Sequence, residues 1–400
     1  MNKMLNNERR RTLEQARTLK MARSTHAYVR GSTVNFYEWL AASDEADRLP
    51  KGPPVWICGD CHLGNLGPLA DADGNIAIQI RDLDQTVIGN PAHDLIRLGL
   101  SLATAARGSD LPGVTTARMI EEMVDGYERA LADPDSEDEA PEPDAVKTVR
   151  RQALGRRWRH LAEERLDDIK PTIPLGKKFW ALTEAERAAL TTLFDDDAVK
   201  SMILSLRGRD SDHKVELVDA AYWMKGCSSL GTLRFAALVS IGGDKQRAGD
   251  LALIDLKEAV KAAAPVAKKV KMPADHAKRV VAGAKALSPN LGERMLATRL
   301  FDTPMVMREL MPQDLKLEID QFTRAEAVKS ARYLAYVVGK AHARQMDNDM
   351  RREWRRMLLD YRGTGIEAPS WLWKSVVALI ATHEARYLEH CHDYALREAA

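Results

Sequence analysis

A short polar loop between two apolar segments constrains this chain more than any other feature. The segment Val55–Ile57 leads into Gly-Asp60-Cys-His-Leu-Gly-Asn65, and the segment Ile76–Ile80 leads into Arg-Asp82. Short apolar runs bounded by turn residues are typical of β-strands. An Asp-Gly-Asn tripeptide, which is a strong tight-turn signal, stands before the second segment. We therefore predict that loop, strand, turn and strand bring Asp60, Asn65 and Asp82 to one end of a small sheet.

These three residues are of the types that ATP-dependent phosphoryl transfer requires. One carboxylate accepts the proton of the attacking hydroxyl, while an amide oxygen and a second carboxylate hold Mg²⁺ against the phosphates. Each residue alone is equally typical of a turn or the end of a loop. Their matched spacing favours the chemistry, with Asp60 as the catalytic base and Asn65 and Asp82 as metal ligands.

The catalytic segment resembles that of the kinase-like phosphotransferases of the aminoglycoside and choline kinase type. Their segment reads H-G-D-x-H-x-x-N, then I-D-[FW]-x-x-A, then G-D-P-x-x-D-L. This chain reads C-G-D-C-H-L-G-N at 58–65, I-R-D-L-D at 80–84 and G-N-P-A-H-D-L at 89–95. The resemblance implies the same roles for the three residues above. It also implies that Asp94, at the start of a helix, braces the catalytic loop.

Three further residues near this loop are candidates for the site. We interpret His62 as a residue that organises the catalytic loop through hydrogen bonds to the backbone, rather than as a metal ligand. Asp84 is either a polar neighbour of the metal or a ligand of a second Mg²⁺. Arg30 has two open interpretations: its guanidinium stabilises charge on the transferred phosphate, or it braces the N-terminal helix through Asp84 or Asp94. Asp60, Arg30 and His62 form the candidate catalytic set.

A second, weaker signal lies far downstream. The segment K-G-C-S-S-L-G-T at 225–232 is followed by an apolar strand pattern at 235–241, and the strand pattern Leu251–Glu258 then ends in Leu-Lys257-Glu. This order is typical of a phosphate-covering loop and a kinase strand lysine, although a plain hairpin has the same signature. The candidate nucleotide-binding residues are Gly226, Ser228, Ser229, Gly231, Thr232 and Lys257.

The order of these parts predicts a circular permutation. A helix at 275–287, a strand at 305–310, a hinge at 311–314 and a helix at 325–344 follow the lysine strand. In kinase-like enzymes, a helix with such a Leu-x-x-His-Ala ending comes just before the catalytic loop. Here that loop already lies near the N-terminus. We therefore predict an α+β, protein-kinase-like, two-lobed fold in circularly permuted order.

The predicted organisation has five segments. They are an N-terminal helix with the catalytic and metal-binding part of the large lobe (1–132), an acidic flexible linker (133–145), a helical segment of the large lobe (146–215), a small nucleotide-binding lobe (216–315) and C-terminal helices that complete the large lobe (316–400). The segment 146–166 is predicted as one basic helix. It is either a surface for an anionic partner or, as we prefer, an exposed face paired with acidic neighbours. Helices are also predicted at 171–193 and 197–206.

The order Y-x-R-G, then G-D-x-H-L-G-N-x-G, then D-x-D resembles an uncharacterised bacterial family with a domain of unknown function over nearly the whole chain. The chain departs from these resemblances at Cys58, Arg81 and Ser228, and Ala282 and Ala284 stand in a helix where acidic or amide residues are expected. An active kinase lysine is usually fixed by a glutamate on that helix. The possible substitutes are Glu258, Glu293 and Glu309.

Composition narrows the remaining classes. The 400 residues carry a formal net charge of +1 and four cysteines, which argues against a polyanion-binding surface and excludes a disulfide scaffold. No apolar run reaches membrane-spanning length, so we expect a cytoplasmic protein without nucleic-acid or membrane partners. Two metal alternatives stay open: the C-x-x-C pair Cys58 and Cys61, and the histidines at 390 and 392 together with His383.

The sequence thus predicts a phosphotransferase that uses ATP and Mg²⁺ and acts on a hydroxyl of a small-molecule acceptor. The motifs do not distinguish transfer of AMP from transfer of phosphate. A pseudokinase-like module that binds nucleotide or a partner without turnover is the first alternative, favoured by Ser228 and by the missing helix glutamate. A metallophosphoesterase is the second, suggested by Gly-Asp60-x-His62 and by Gly89-Asn90 close to His93 and Asp94.

Overall fold

The structure is a computed structural model of the chain, and it contains both helices and sheets, as predicted. It describes residues 7–44, 48–132, 140–166, 172–206, 209–226, 230–242, 251–317, 323–362 and 370–399. The α+β class is therefore confirmed. Within the described residues, no helix has the length and apolarity needed to cross a membrane.

Three helices open the chain: α1 (Asn7–Ala22), α2 (Thr25–Gly31) and α3 (Thr33–Ala42). The side chain of Ser24 accepts a hydrogen bond from Ala27 N and so caps the free N–H groups at the start of α2. The predicted N-terminal helix is confirmed, and α2 and α3 are additional.

Two small pairs of antiparallel strands follow. Strand β1 (Val55–Ile57) pairs with β4 (Val87–Gly89), and β2 (Leu66–Ala70) pairs with β3 (Ile76–Ile80). The predicted strands and the turn between β2 and β3 are confirmed, and Gly74 in that turn has a φ of +87°. The prediction of one shared sheet is wrong. Residues 58–65 form an extended loop and a 3₁₀ turn instead of a tight hairpin, so β2 does not return beside β1.

Packed helices form most of the first hydrophobic core. They include α4 (Ala92–Gly108), α5 (Gly113–Ala132) and the later α12 (Arg324–Ala343). The predicted pair of helices after Asp94 and the long helix at 325–344 are confirmed. Gly126 on α5 faces the backbone carbonyl of Arg332 on α12 at a distance that leaves no room for a Cβ atom, so these two helices lie in close contact.

A six-stranded antiparallel sheet forms the second part of the molecule. Its strands, in spatial order, are β5 (Phe179–Trp180), β6 (Val215–Trp223), β7 (Arg234–Ile241), β8 (Leu251–Glu258), β10 (Thr303–Glu309) and β9 (Met295–Leu300). Both faces of β7 are buried, because alternate residues pack into two separate hydrophobic clusters. The predicted strands at 235–241, 251–258 and 305–310 are confirmed.

Several of the predicted helices differ in part from expectation. The basic segment forms two helices, α6 (Asp144–Leu154) and α7 (Trp158–Leu166), because the first ends at Gly155. Arg150 pairs with Glu142, and Arg159 with Glu163, which agrees with the exposed, paired face that we preferred.

The segment 171–193 is not one helix. Strand β5 lies within it, and α8 (Glu184–Phe194) begins at a capping box formed by Thr183 and Glu186. The remaining helices are α9 (Asp197–Leu204), α10 (His276–Leu287), α11 (Pro289–Gly292), α13 (Asn348–Asp360) and α14 (Trp371–Ala399).

Candidate functional site

The loop 58–65 after β1, predicted to be catalytic, is held by one buried carboxylate. Asp94, in the first turn of α4, accepts hydrogen bonds from Cys58 N at 2.7 Å and from Gly59 N at 2.9 Å. Gly59 has a φ of +74°, and a Cβ atom there would collide with the carbonyl of Gln85. Residues other than glycine are strained in such a position. The predicted bracing role of Asp94 is confirmed.

Asp94 also connects the loop to the end of α12. His342 Nε2 lies 3.2 Å from Asp94 Oδ2, and its Nδ1 lies 2.9 Å from the hydroxyl of Tyr127. Gln345, just beyond α12, exchanges hydrogen bonds with both backbone groups of Trp56 in β1. The end of α12 and the strand that leads into the loop 58–65 are therefore neighbours in space, although almost three hundred positions separate them in sequence.

Asp60 points into the cleft from this braced loop and is nearly buried. Arg97 Nε donates to Asp60 Oδ1 at 2.8 Å, and Arg97 also donates to the carbonyl of Val29 in α2. The second carboxylate oxygen, Oδ2, lies 4.0 Å from His62 Nε2. Asn65 Nδ2 donates to the carbonyl of Asp60 at 2.9 Å, so the amide oxygen of Asn65 is the atom suited to bind a metal.

His62 differs from its predicted role. Its side chain is buried, and desolvation lowers its pKa to about 3, so the imidazole is neutral at physiological pH. In the described part of the chain, Nδ1 has no hydrogen-bond partner. The predicted bond from this side chain to the backbone is therefore wrong, because the ring faces Asp60 instead. The backbone carbonyl of His62 does organise the loop, since it accepts from Asn65 N at 2.8 Å.

Asp82 and Asp84 were predicted to bind metal and are called the metal-type carboxylates below. They meet Lys257 of the six-stranded sheet. Lys257 Nζ forms an ion pair with Asp84 and lies 3.8 Å from Asp82 Oδ2. Burial opposes ionisation of the Asp82 carboxyl, yet nearby cations, Lys257 foremost, hold its pKa below the ordinary value. Burial likewise lowers the pKa of Lys257, against the pull of Asp82. Segments about 170 positions apart thus meet in one ionic cluster.

The oxygen atoms of Asn65, Asp82 and Asp84 are a donor set that suits Mg²⁺. In the structure a lysine ammonium stands between the two carboxylates, so this position already stabilises positive charge. The residues therefore fit the metal that the motifs predict. A different group of possible ligands, Asp210, Asp212 and His213, is an exposed acidic cluster away from these residues.

None of the three glutamates proposed as partners of Lys257 fills that role. Glu258 accepts from Leu233 N, Glu309 pairs with both terminal nitrogens of Arg209, and Glu293 is exposed. These interpretations are wrong because each carboxylate faces away from the cleft or serves another group.

Helix α10 carries no acidic residue toward Lys257, but it contacts the loop at 84–86 through an arginine. The guanidinium of Arg279 donates to the carbonyls of Thr86, Asp84 and Val260. Gly283, one turn further along, leaves room for the side chain of Thr86. A buried arginine that binds backbone carbonyls thus ties this helix to the loop that carries Asp84.

The glycine-rich turn joins β6 to β7, as the sequence predicts. Gly226 and Gly231 have positive φ angles of 93° and 103°, which favour glycine. Ser228 and Ser229 lie outside the described residues. The carbonyl of Gly226 accepts from Lys20 Nζ at 3.0 Å, and the carbonyl of Thr232 accepts from the hydroxyl of Tyr222 at 2.8 Å.

Arg30 lines the cleft beside Asp60. Its predicted pairing with Asp84 or Asp94 is wrong, because Asp84 pairs with Lys257 and Asp94 holds the loop backbone. Arg97 carries out that bracing instead. The guanidinium of Arg30 lies close to Gly64, and its charge helps to lower the pKa of His62, after the larger effect of burial. Its role toward phosphate stays a prediction.

An open cleft of about 130 Å³ is lined by six of the twelve predicted site residues, namely Arg30, Asp60, His62, Asn65, Asp82 and Gly226. Asp84 and Lys257 line a smaller adjoining cavity that shares Asp82 and Arg308 with the cleft, whereas Gly231 and Thr232 line neither. Asp60, Asn65 and Asp82 line one wall, and Gly226 lines the other. The cleft also contains cations that the sequence analysis missed, namely Lys225, Arg234 and Arg308. The available signal was their position as charged residues at the ends of, or within, otherwise apolar strands.

The two alternative metal sites are not supported by the geometry. Cys58 and Cys61 are both buried free thiols, and Cys58 Sγ lies 3.5 Å from the carbonyl of Asp82. His383 lies near Ser32, whereas His390 contacts the carbonyl of Thr18. The C-terminal histidines therefore bind the N-terminal helices instead of converging on one point.

The departure at Arg81 has a structural explanation. Its Nη2 donates to the carbonyl of Asp314 at 3.1 Å, in the turn at 311–314 that was predicted as a hinge. Arg81 thus ties the end of β3 to the segment that follows β10, a task that a small apolar residue does not perform.

Residues 9–393 match the family described as an uncharacterized protein conserved in bacteria (DUF2252). The match covers nearly the whole chain, so the protein belongs to this family, as its motifs predicted. No curated protein and no solved structure is significantly similar to it.

Proposed function

We propose that the protein is a phosphotransferase that uses ATP and Mg²⁺, acts on a hydroxyl of a small-molecule acceptor, and has a two-lobed, kinase-like fold in circularly permuted order. The observation that carries the proposal is the meeting of Lys257 with Asp82 and Asp84. A lysine on a strand after a glycine-rich turn, facing a metal-type carboxylate, is the arrangement that kinase phosphoryl transfer uses.

The contact between the end of α12 and β1 supports the permuted order. In an unpermuted chain this helix leads directly into the catalytic loop, and here Gln345 binds Trp56 at that junction. The same contact supports the assignment of segments 1–132 and 316–400 to one lobe, with 216–315 as the nucleotide-binding lobe. Much of 146–215, which was predicted to belong to the large lobe, packs with the six-stranded sheet instead, because β5 is part of that sheet and α8 and α9 share its hydrophobic cluster.

The chemistry follows from the positions of the side chains. Asp60 orients the acceptor hydroxyl and takes its proton, and Arg97 holds the Asp60 carboxylate in place. Asn65, Asp82 and Asp84 would hold Mg²⁺, which would neutralise charge on the phosphates. Lys257, which pairs with Asp82 and Asp84 in the structure, would supply a positive charge to the phosphates. Positioning and charge stabilisation then supply most of the catalysis.

A second candidate is a protein that binds nucleotide without turnover. Two observations favour it: α10 carries no acidic residue, and Lys257 pairs with the metal-type carboxylates themselves. Such a protein has the same cleft but lacks the glutamate that fixes an active kinase lysine.

The two candidates differ in the effect of Asp82→Asn. For the phosphotransferase we expect release of ADP from Mg·ATP to fall by a factor of about 1,000 or more, since the metal loses a charged ligand. The control is Asp73→Asn, an exposed residue of the β2–β3 turn, which should retain full turnover. Turnover retained by Asp82→Asn contradicts the assignment. Nucleotide binding without any turnover in the unmodified protein favours the second candidate.

A further inference from the structure

Three cations on the sheet side of the cleft converge on one buried carboxylate. Arg234 binds Asp255 through two hydrogen bonds of 2.8 and 2.6 Å. Lys225 Nζ lies 3.6 Å and Arg308 Nη2 3.5 Å from Asp255 Oδ2. The ring of Trp223 lies beneath Lys225, with the ammonium 3.8 Å from its centroid.

The strand register directs this cluster toward the phosphotransfer residues. Arg234 on β7 stands opposite Lys257 on β8, and Arg308 on β10 stands opposite Asp255. Asp255 and Lys257 are two positions apart on one strand, so their side chains share a face. Arg308 and Arg234 are also close enough to Asp82 to help lower its pKa.

Two of the three cations are less tightly bound to Asp255 than the third. Arg234 is almost fully buried, whereas Arg308 and Lys225 keep 21% and 23% of their side chains exposed and line the cleft. Arg308 Nη1 also donates to the carbonyl of Arg81, which fixes the guanidinium at the wall of the cleft. A guanidinium has five N–H donors and suits phosphate oxygens particularly well.

We propose that Lys225, Arg234 and Arg308 form a phosphate-binding subsite, with Asp255 as the residue that positions them. The subsite lies next to Lys257 and the metal-type carboxylates, and a phosphate group there would contact Arg308 and Lys225 directly. The inference rests on the nucleotide cleft of the proposed function, but it assigns phosphate binding to side chains of the sheet, in addition to the glycine-rich turn.

The test is calorimetric titration of the full-length protein with inorganic pyrophosphate, without metal. We expect binding by the unmodified protein and affinity that is about tenfold weaker in Arg308→Gln, because a charge-assisted hydrogen bond is lost. Arg299→Gln is the matched control: Arg299 lies on the neighbouring strand β9 and pairs with Asp275 away from the cleft. Its affinity should stay within about twofold of the unmodified value.

Absence of pyrophosphate binding, or equal affinity in Arg308→Gln and Arg299→Gln, overturns the subsite. If Arg308→Gln does not fold, Lys225→Gln gives the same test at a more exposed position. Competition by ATP assigns the subsite to the phosphates of the nucleotide, and lack of competition assigns it to a phosphate on the acceptor. Turnover of Mg·ATP without pyrophosphate binding removes the subsite alone, so its failure is distinct from failure of the proposed function.

Discussion

The two sides of the cleft are built in different ways. The loop wall consists of the loops at 58–65 and 81–86 with the start of α4, and the sheet wall consists of the ends of strands β7, β8 and β10. On the loop wall, Asp94 holds two backbone N–H groups and a histidine, and all of these groups are buried. On the sheet wall, Lys257 and Arg308 are held by ion pairs in which one member keeps part of its side chain exposed, 43% for Asp82 and 21% for Arg308. Buried hydrogen bonds fix a geometry whether or not a ligand is present, whereas exposed ion pairs are weak and exchange partners readily. The loop wall is therefore preorganised, whereas the ion pairs of the sheet wall can exchange partners, as the proposed binding of phosphates requires.

The largest structural effect is expected on the loop wall. Asp94→Ala leaves Cys58 N and Gly59 N without an acceptor and removes the partner of His342. We expect a loss of about 3 kcal/mol in the free energy of unfolding, measured by urea denaturation. Asp349→Ala, an exposed residue of α13, is the control and should cost less than about 0.5 kcal/mol. Similar losses in the two variants would contradict the view that Asp94 holds the loop.

A smaller effect is expected in the pH dependence of the free energy of unfolding, and it arises from the loop wall. His62 on the loop wall is held neutral, with a pKa lowered to about 3 by burial, while an unfolded chain protonates it near its ordinary value of 6.5. The unfolded state thus binds more protons between these values, so stability is lost as the pH falls from about 6.5 toward 4. His93 and His383, with pKa values lowered to about 4 and about 3, act in the same direction.

The contribution of His62 is about 1.4 kcal/mol per pH unit below pH 6. Urea denaturation at pH 7, 6 and 5 should therefore show a shallower pH dependence for His62→Gln than for the unmodified protein. His392→Gln, which changes an exposed residue of α14, should leave the slope as it is. A slope unchanged in His62→Gln would mean that the histidine is accessible to protons in the folded protein.

The sequence could predict the elements that depend on local pattern, but not those that depend on contacts between distant segments. Strands β1, β3, β7, β8 and β10 follow apolar runs bounded by turn signals, and local pattern was sufficient for them. The role of Asp94 was predicted because the segment 89–95 resembles the kinase-like motif G-D-P-x-x-D-L, which has an aspartate at this position. Strand β6 (Val215–Trp223) mixes charged and apolar residues, and its pairing with β7 is a tertiary property.

The missed site residues share one physical reason. Arg97, Arg279 and Arg234 are buried arginines whose partners lie 20 to nearly 200 positions away in sequence. A single sequence gives no sign that a charged residue is buried, because most arginines are exposed. The prediction that a glutamate pairs with Lys257 was wrong for the same reason. Its partners, Asp82 and Asp84, are distant in sequence, and only the folded structure shows that they are neighbours.

The central claim is that Lys257 and the carboxylates of the loop wall form one nucleotide site. Its most direct test is calorimetric titration with ATP, with and without Mg²⁺, of the unmodified protein and of Lys257→Met. We predict Mg²⁺-dependent binding that weakens by about tenfold or more in the variant, since a charged contact to the phosphates is lost. Equal affinity in the two proteins, or no binding in either, would contradict a shared site for the metal and the nucleotide.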